Sequence, residues 1–207
     1  MGWVRDSGVE VLQQADEMSC GLCAVGMALF YFTSVQWQER ELKDLSRRVQ
    51  GADPTEKYSR SAKNISGAQP TVGVQMGAIP DAIGDGTYGN HLAAMLTHEH
   101  LQATFGHGGV ANVKAALRAV KRNHLVIVRV EWSNGAGHWV LVTGRNPHLG
   151  KPSTYTIHDP AGRVVQNSGS TTYTAPYAVA SFSGYWVEVA GAIRSQLANK
   201  RTGIKVM

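Results

Sequence analysis

One short stretch and three further positions carry residue types that can do chemistry together. Ser19-Cys20-Gly21-Leu22-Cys23 holds both cysteines of the chain. Gln14 lies six residues ahead of Cys20, His138 follows the small-residue run Gly135-Ala136-Gly137, and Asp159 sits in Ile157-His158-Asp159-Pro160-Ala161-Gly162. A cysteine hydrolase needs a thiolate, an imidazole that pairs with it and later protonates the leaving group, and a group that orients the imidazole. It also needs donors for the developing oxyanion. The chain offers a candidate for each.

The C-x-x-C spacing admits several readings. Two cysteines three residues apart cannot staple a fold as a disulfide framework does. A redox dithiol wants a strand running straight into the motif, yet Gln13-Gln14-Ala15-Asp16-Glu17-Met18 is polar. A zinc site needs four ligands, and there is no second C-x-x-C and no H-x-x-x-H pair; His98-Glu99-His100 lacks the helical spacing of a zincin. Two buried, inert cysteines are the plain alternative. The surroundings favour one nucleophile and one core residue. Cys20 to Phe32 is apolar all round and reads as a buried helix, with Asp16 or Ser19 as its cap. Cys20 then stands at the helix N-terminus, where the dipole favours a thiolate, while Cys23 points into the core.

His138 opens a strand, and the glycines before it leave room for a substrate backbone to approach the ring. Asp159 ends the next strand, where a carboxylate can hold His138 in its working tautomer. Gln14 can aim a side-chain N–H at an oxyanion beside the backbone N–H of Cys20. Each residue alone has an ordinary explanation. A histidine at a strand start is commonly a satisfied polar group, and Asp-Pro is commonly a turn former. Their joint appearance carries the reading.

The elements that must position these groups change character along the chain. Val9–Gln13 reads as a short strand, and residues 36–45 as an amphipathic helix with Leu42, Leu45 and Val49 on its apolar face. Residues 51–75 read as a long polar loop, 79–98 as partly helical after a break at Ile83–Gly86, and Gly109–Arg122 as a helix through Val113, Leu117 and Val120. Leu125–Trp132 and Gly137–Thr143 are strands joined by a turn at Ser133–Ala136. Thr154–His158, Arg163–Val165 and Tyr185–Val189 make up a set of four or five antiparallel strands. Helices first and strands later predict an α+β fold.

Composition narrows the partners. With 207 residues, against roughly 100–200 per domain, and 43% hydrophobic residues, one folded domain is expected over 1–193. Residues 194–207 are expected to form a basic tail with Arg194, Lys200, Arg201 and Lys205. Lys+Arg 20 against Asp+Glu 15 leaves +5; the cations are scattered or in the tail without interleaved aromatics, which argues against nucleic-acid binding. No apolar run approaches the 18 or so residues of a membrane span. The N-terminus lacks the apolar stretch of a secretory signal, so Sec export is not expected. Position 6 is Asp, so a myristoylation motif at Gly2 fails. Trp132 and Trp139 flank His138 as a water shield or as core. His91, His98, His100 and His107 read as solvated or structural, with Phe105–Gly109 a loop near the site.

The pattern resembles the papain-like cysteine peptidases, in particular the compact bacterial group that includes plant-pathogen avirulence effectors and relatives of the bacteriocin-leader peptidases. The matching residues are Val11-Leu12-Gln13-Gln14, Met18-Ser19-Cys20-Gly21, Val126 to Gly144 and Tyr155 to Pro160, with the aromatic spacing Tyr173, Tyr177, Trp186 near the end. Together they cover roughly residues 9 to 190. The resemblance implies an N-terminal helical half, whose Cys helix packs against a C-terminal antiparallel β-sheet half. It implies Cys20 as nucleophile, His138 as general base and acid, Asp159 as orienter and Gln14 as oxyanion donor, with no metal and no cofactor. A protein or peptide substrate is implied, cleaved through a thioester, with a cognate inhibitor or a secretion apparatus as further partners. An effector or toxin delivered by a dedicated secretion system, or a cytoplasmic enzyme, both fit.

Many members carry Trp after the cysteine where this chain has Gly21, which leans toward the leader-peptidase variant. The 21 residues from His138 to Asp159 include an apparent extra loop at Pro147–Gly150, so Asn146 and Asp85 are alternative orienters and His158 a decoy. A papain-fold amidase, deamidase or cell-wall hydrolase, an inactive papain-like binding module and a C-x-x-C redox protein are the rival readings.

Overall fold

Leu125-Val126-Ile127-Val128 is a continuous apolar run because both faces of its strand are covered. Leu125 and Ile127 pack with the N-terminal helices, Val126 and Val128 with a later helix on the opposite face. The same division separates Trp139 and Leu141 from Val140 and Val142 on the neighbouring strand. The sheet is therefore a middle layer. The computed structural model describes residues 2–15, 19–52, 57–58, 74–75, 88–132, 137–149, 151–168, 172–175 and 178–191.

Along these residues run β1 (Trp3–Asp6), β2 (Val9–Leu12), α1 (Cys20–Thr33), α2 (Glu39–Ala52), β3 (Lys57–Tyr58), β4 (Val74–Gln75), α3 (Gly89–His98) and β5 (Gln102–His107). Then follow α4 (Val110–Arg118), β6 (His124–Trp132), β7 (Gly137–His148), β8 (Lys151–Asp159), β9 (Arg163–Ser168), β10 (Thr172–Ala175) and β11 (Ala178–Ala190). The main sheet has seven strands in the order β10-β11-β6-β7-β8-β9, with β5 also on β11. Its pairings are antiparallel, and the α+β class holds.

Five points differ from the expectations drawn from sequence. The sheet holds seven strands rather than four or five: β5 and β10 extend it along one edge of β11. Within Phe105–Gly109 only Gly108 and Gly109 are loop, since Phe105, Gly106 and His107 pair with Val187, Trp186 and Tyr185. The helix expected over Gly109–Arg122 ends at Arg118, because Lys121 and His124 exchange backbone hydrogen bonds in a turn that feeds β6. Pro147–Gly150 is no separate insertion: His148 pairs with Lys151, so the additional residues lengthen the β7–β8 hairpin. The loop expected over 51–75 is not loop throughout: residues 51–52 end α2, and Lys57–Tyr58 pairs with Val74–Gln75. Residues 53–56 and 59–73, the break at Ile83–Gly86, the turn Ser133–Ala136, Tyr177 and the tail 194–207 lie outside the described residues.

The N-terminal hairpin turns through Ser7 and Gly8, both at positive φ (50° and 80°), the pairing a two-residue hairpin loop demands. It docks on β9, where the Asp6 carboxylate accepts the Val164 N–H. α1 is buried along nearly its whole length. It can lie that close to α2 and β2 only because position 26 is Gly: a Cβ there would stand 2.7 Å from Leu42 Cδ1 and 2.8 Å from Leu12 Cδ2. Gly26→Val is expected to cost about 1–3 kcal/mol through overpacking, read as a lowered denaturant midpoint at unchanged slope. Unaltered stability would show that α1 can shift to make room. Among the described residues, no helix is long and apolar enough to cross a membrane.

Candidate active site

Cys20 is the first residue of α1, so its sulfur sits where the unpaired N–H groups of the first helical turn converge. The start of β7 meets it there, and the Trp139 N–H donates to Cys20 Sγ at 3.5 Å. Ser19 occupies the N-cap position, but its side chain makes no capping hydrogen bond. Its hydroxyl bonds the Cys23 sulfur instead. Asp16, the other cap considered, lies outside the described residues. Cys23, one turn further on, is fully buried and donates its backbone N–H to Ser19 O at 2.9 Å. Burial, then the nearby charges of Glu39 and Cys20, push its thiol far above the ordinary range. It is inert at neutral pH, and position in one helical turn separates the two cysteines.

His138 Nε2 donates to Asp159 Oδ1 at 2.7 Å. A second ring hydrogen bond goes to Cys20, and Nδ1 is the nitrogen left to make it. Burial works against a charged ring here, since the His138 side chain is only 12% exposed. The hydrogen bonds to Asp159 and Cys20, with the charges of both, outweigh burial and raise the His138 pKa to about 9. The arrangement therefore favours a protonated ring between Asp159 and Cys20.

Asp159 is completely buried, and four donors saturate its carboxylate. Oδ1 accepts from His138 and from the Ala161 N–H at 2.8 Å; Oδ2 accepts from Arg163 Nε at 2.9 Å and Arg163 Nη2 at 2.8 Å. The Asp-Pro segment is thus a turn former and a histidine partner at once. The turn closes at Gly162, whose φ of +85° suits glycine and whose N–H donates to Asp159 O at 2.9 Å.

Gln14 is held from both sides along its backbone. Its own N–H donates to Pro160 O at 2.9 Å, in the turn that carries Asp159, and the next N–H, of Ala15, donates to Glu39 Oε2 at 2.7 Å at the start of α2. The side-chain oxygen of Gln14 is buried. The Gln13 side chain lies over Gly162, so the strand exit and the aspartate turn pack as one unit.

The other candidates lie elsewhere or are engaged in other ways. Asn146 faces Thr154 along the β7–β8 hairpin, and Asp85 is outside the described residues. His158 is buried, bonds Thr143 Oγ1 at 3.2 Å, and burial lowers its pKa to about 4. His91 is a buried neutral ring on Ser46 Oγ at 2.8 Å, likewise lowered to about 4 by burial, whereas His98 pairs with Glu99 at the surface. Trp139 is buried in the core cluster around α1, and the side chain of Trp132 lies outside the described residues. Among the described residues, no three His, Cys, Asp or Glu side chains converge as a metal site requires. Sequence reasoning missed Arg163, the Trp139 N–H and Glu39. Only the first left a trace, a cation four residues after Asp159 across a Pro-x-Gly turn.

A family model described as Peptidase_C39 like family matches residues 7–192. No curated protein matches the chain. Among solved structures, the chain is similar to a double glycine motif protease from an AMS/PCAT transporter in complex with the leader peptide. The two are 16% identical; the likeness covers 92% of this chain and 95% of that one, with a TM-score of 0.48.

Proposed function

The chain belongs to the Peptidase_C39 like family and is a cysteine peptidase; on that premise we propose that Cys20, His138 and Asp159 cleave a protein or peptide substrate through a thioester. The observation that supports this most is the linear array itself: a cysteine at a helix N-terminus, hydrogen-bonded to a histidine whose far nitrogen bonds a buried carboxylate at 2.7 Å.

The Cys20 thiolate attacks the scissile carbonyl carbon, and the carbonyl electron pair moves onto oxygen. That oxyanion accepts from the Cys20 backbone N–H, free of an intrahelical partner at the first helical position, and from the Gln14 amide. Collapse of the tetrahedral species expels the amine, which takes the proton from His138 Nδ1, and leaves a thioester on Cys20. His138 then removes a proton from water as it attacks, the carboxylic acid departs, and the thiolate–imidazolium pair is restored. Asp159 holds the ring with Nδ1 toward sulfur throughout. The family match runs over 7–192, within the single peptidase domain proposed over 1–193.

Incubation with a peptide library made from a whole-cell digest, read for new termini by mass spectrometry, tests the activity. Cleavages that vanish in Cys20→Ala are expected; no cleavage, or cleavage indifferent to that substitution, would sink the proposal. Gln14→Ala is expected to lower kcat about a hundredfold, the usual loss for one oxyanion donor, with KM little changed. A loss confined to KM would remove Gln14 from the transition state.

A further inference from the structure

We propose that Arg163 is a positioning residue of this peptidase: its fixed cation on Asp159 Oδ2 offsets part of that buried carboxylate's charge and sets the pH window in which the Cys20–His138 pair works. The inference rests on the reading of Cys20, His138 and Asp159 given above.

Asp159 is completely buried, and the donors on Oδ1, His138 and the Ala161 N–H, hold its charge whether or not Arg163 is present. Two N–H groups of Arg163 converge on one oxygen and leave the other to His138 and Ala161, so the cation and the imidazole do not compete for the same lone pairs. Arg163 stands directly across the β8–β9 ladder from Asp159, and its side chain is 24% exposed, partly shielded from water. Guanidinium stays charged at every pH the protein meets, which suits a constant bias.

The groups that face Asp159 come from three elements: His138 from β7, Cys20 of α1 through His138, and Arg163 from β9. Asp6 of β1 binds the Val164 N–H beside Arg163 and adds a negative charge at the edge of the cluster. Arg163 touches Asp159 Oδ2 directly and carries a charge that does not titrate. Removing a positive charge raises the pKa of every titrating neighbour, whether acid or base. Deleting it must therefore move both the ionisation that forms the thiolate–imidazolium pair and the one that ends it, in the same alkaline direction. Loss of a merely structural brace has no reason to do so.

Alkylation of Cys20 by iodoacetamide, followed against pH, reads both steps without a known substrate. Arg163→Gln is expected to shift both steps about one pH unit upward, while Arg163→Lys, which keeps the charge but loses the paired donors, stays within a few tenths of the parent. Unshifted steps in Arg163→Gln, or steps in Arg163→Lys displaced as far as in the glutamine variant, would overturn the proposal. Should the glutamine variant not fold, the lysine variant decides alone: parental steps support the charge, displaced steps reject it. His138→Ala run alongside separates the two levels. If it leaves the parent profile unchanged, the paired reading of Cys20 and His138 fails; if it abolishes the lower step while Arg163→Gln moves nothing, only the role of Arg163 fails.

Discussion

Cys20→Ala is expected to abolish peptide cleavage, a loss of about 10⁴-fold or more as for other covalent nucleophiles, while Cys23→Ser leaves kcat within a few-fold. Both thiols are buried and both belong to the same helical turn. Cys20 occupies the first helical position, touches the Trp139 N–H and shares a hydrogen bond with His138. Cys23 faces the core, where burial and the Glu39 charge keep it protonated, and serine there can retain the hydrogen bond to Ser19. The substitution at 23 therefore touches stability through one buried polar group, about 1–3 kcal/mol, and not the chemistry. Equal losses at 20 and 23 would instead revive the dithiol reading of C-x-x-C.

His138→Ala carries the second large effect, an expected fall in kcat of about 10³-fold or more. The ring supplies the proton to the leaving amine and then activates water, so its removal costs both half-reactions. Protonated His138 is required for the first, and its pKa is raised to about 9; the parent enzyme should lose activity as pH rises through that value, with the limb absent from the alanine variant. Stability follows the same ionisation. The folded ring holds a proton that the unfolded chain releases near 6.5, so the stabilising contribution is complete below that value and is lost as pH rises toward about 9. Parent and variant would then converge in thermal stability above about pH 9. A parent profile flat through pH 9 would contradict the ion pair.

How much of this was legible in sequence depended on whether a signal was local. The buried helix at 20–32 and the strands 125–132 and 137–143 showed in their hydrophobic pattern, and the helix start located Cys20; the five further residues of β7 did not show. The hairpin β1–β2 was visible only in part, since its first strand, Trp-Val-Arg-Asp, alternates too briefly to stand out, although Ser7-Gly8 is a hairpin signal. β5 was lost because Gly106 and His107 mimic a loop, and only its register on β11 makes Gln-Ala-Thr-Phe-Gly-His a strand. Asp159 could be proposed from its place after a strand, but its fourfold satisfaction could not. That depends on Gly162 folding Arg163 back across the turn. The same holds for Gln14, whose spacing to Cys20 gave no hint that Pro160 and Glu39 would anchor the backbone on either side. Contacts between segments more than a hundred residues apart leave no period in a sequence.

The central claim is that one thiol of the two, paired with His138, does the chemistry. Treating the folded protein with a thiol-directed epoxide and locating the adduct by mass spectrometry tests it most directly. Labelling confined to Cys20 and lost in His138→Ala is the predicted result; equal labelling of Cys20 and Cys23, indifferent to His138, would contradict it.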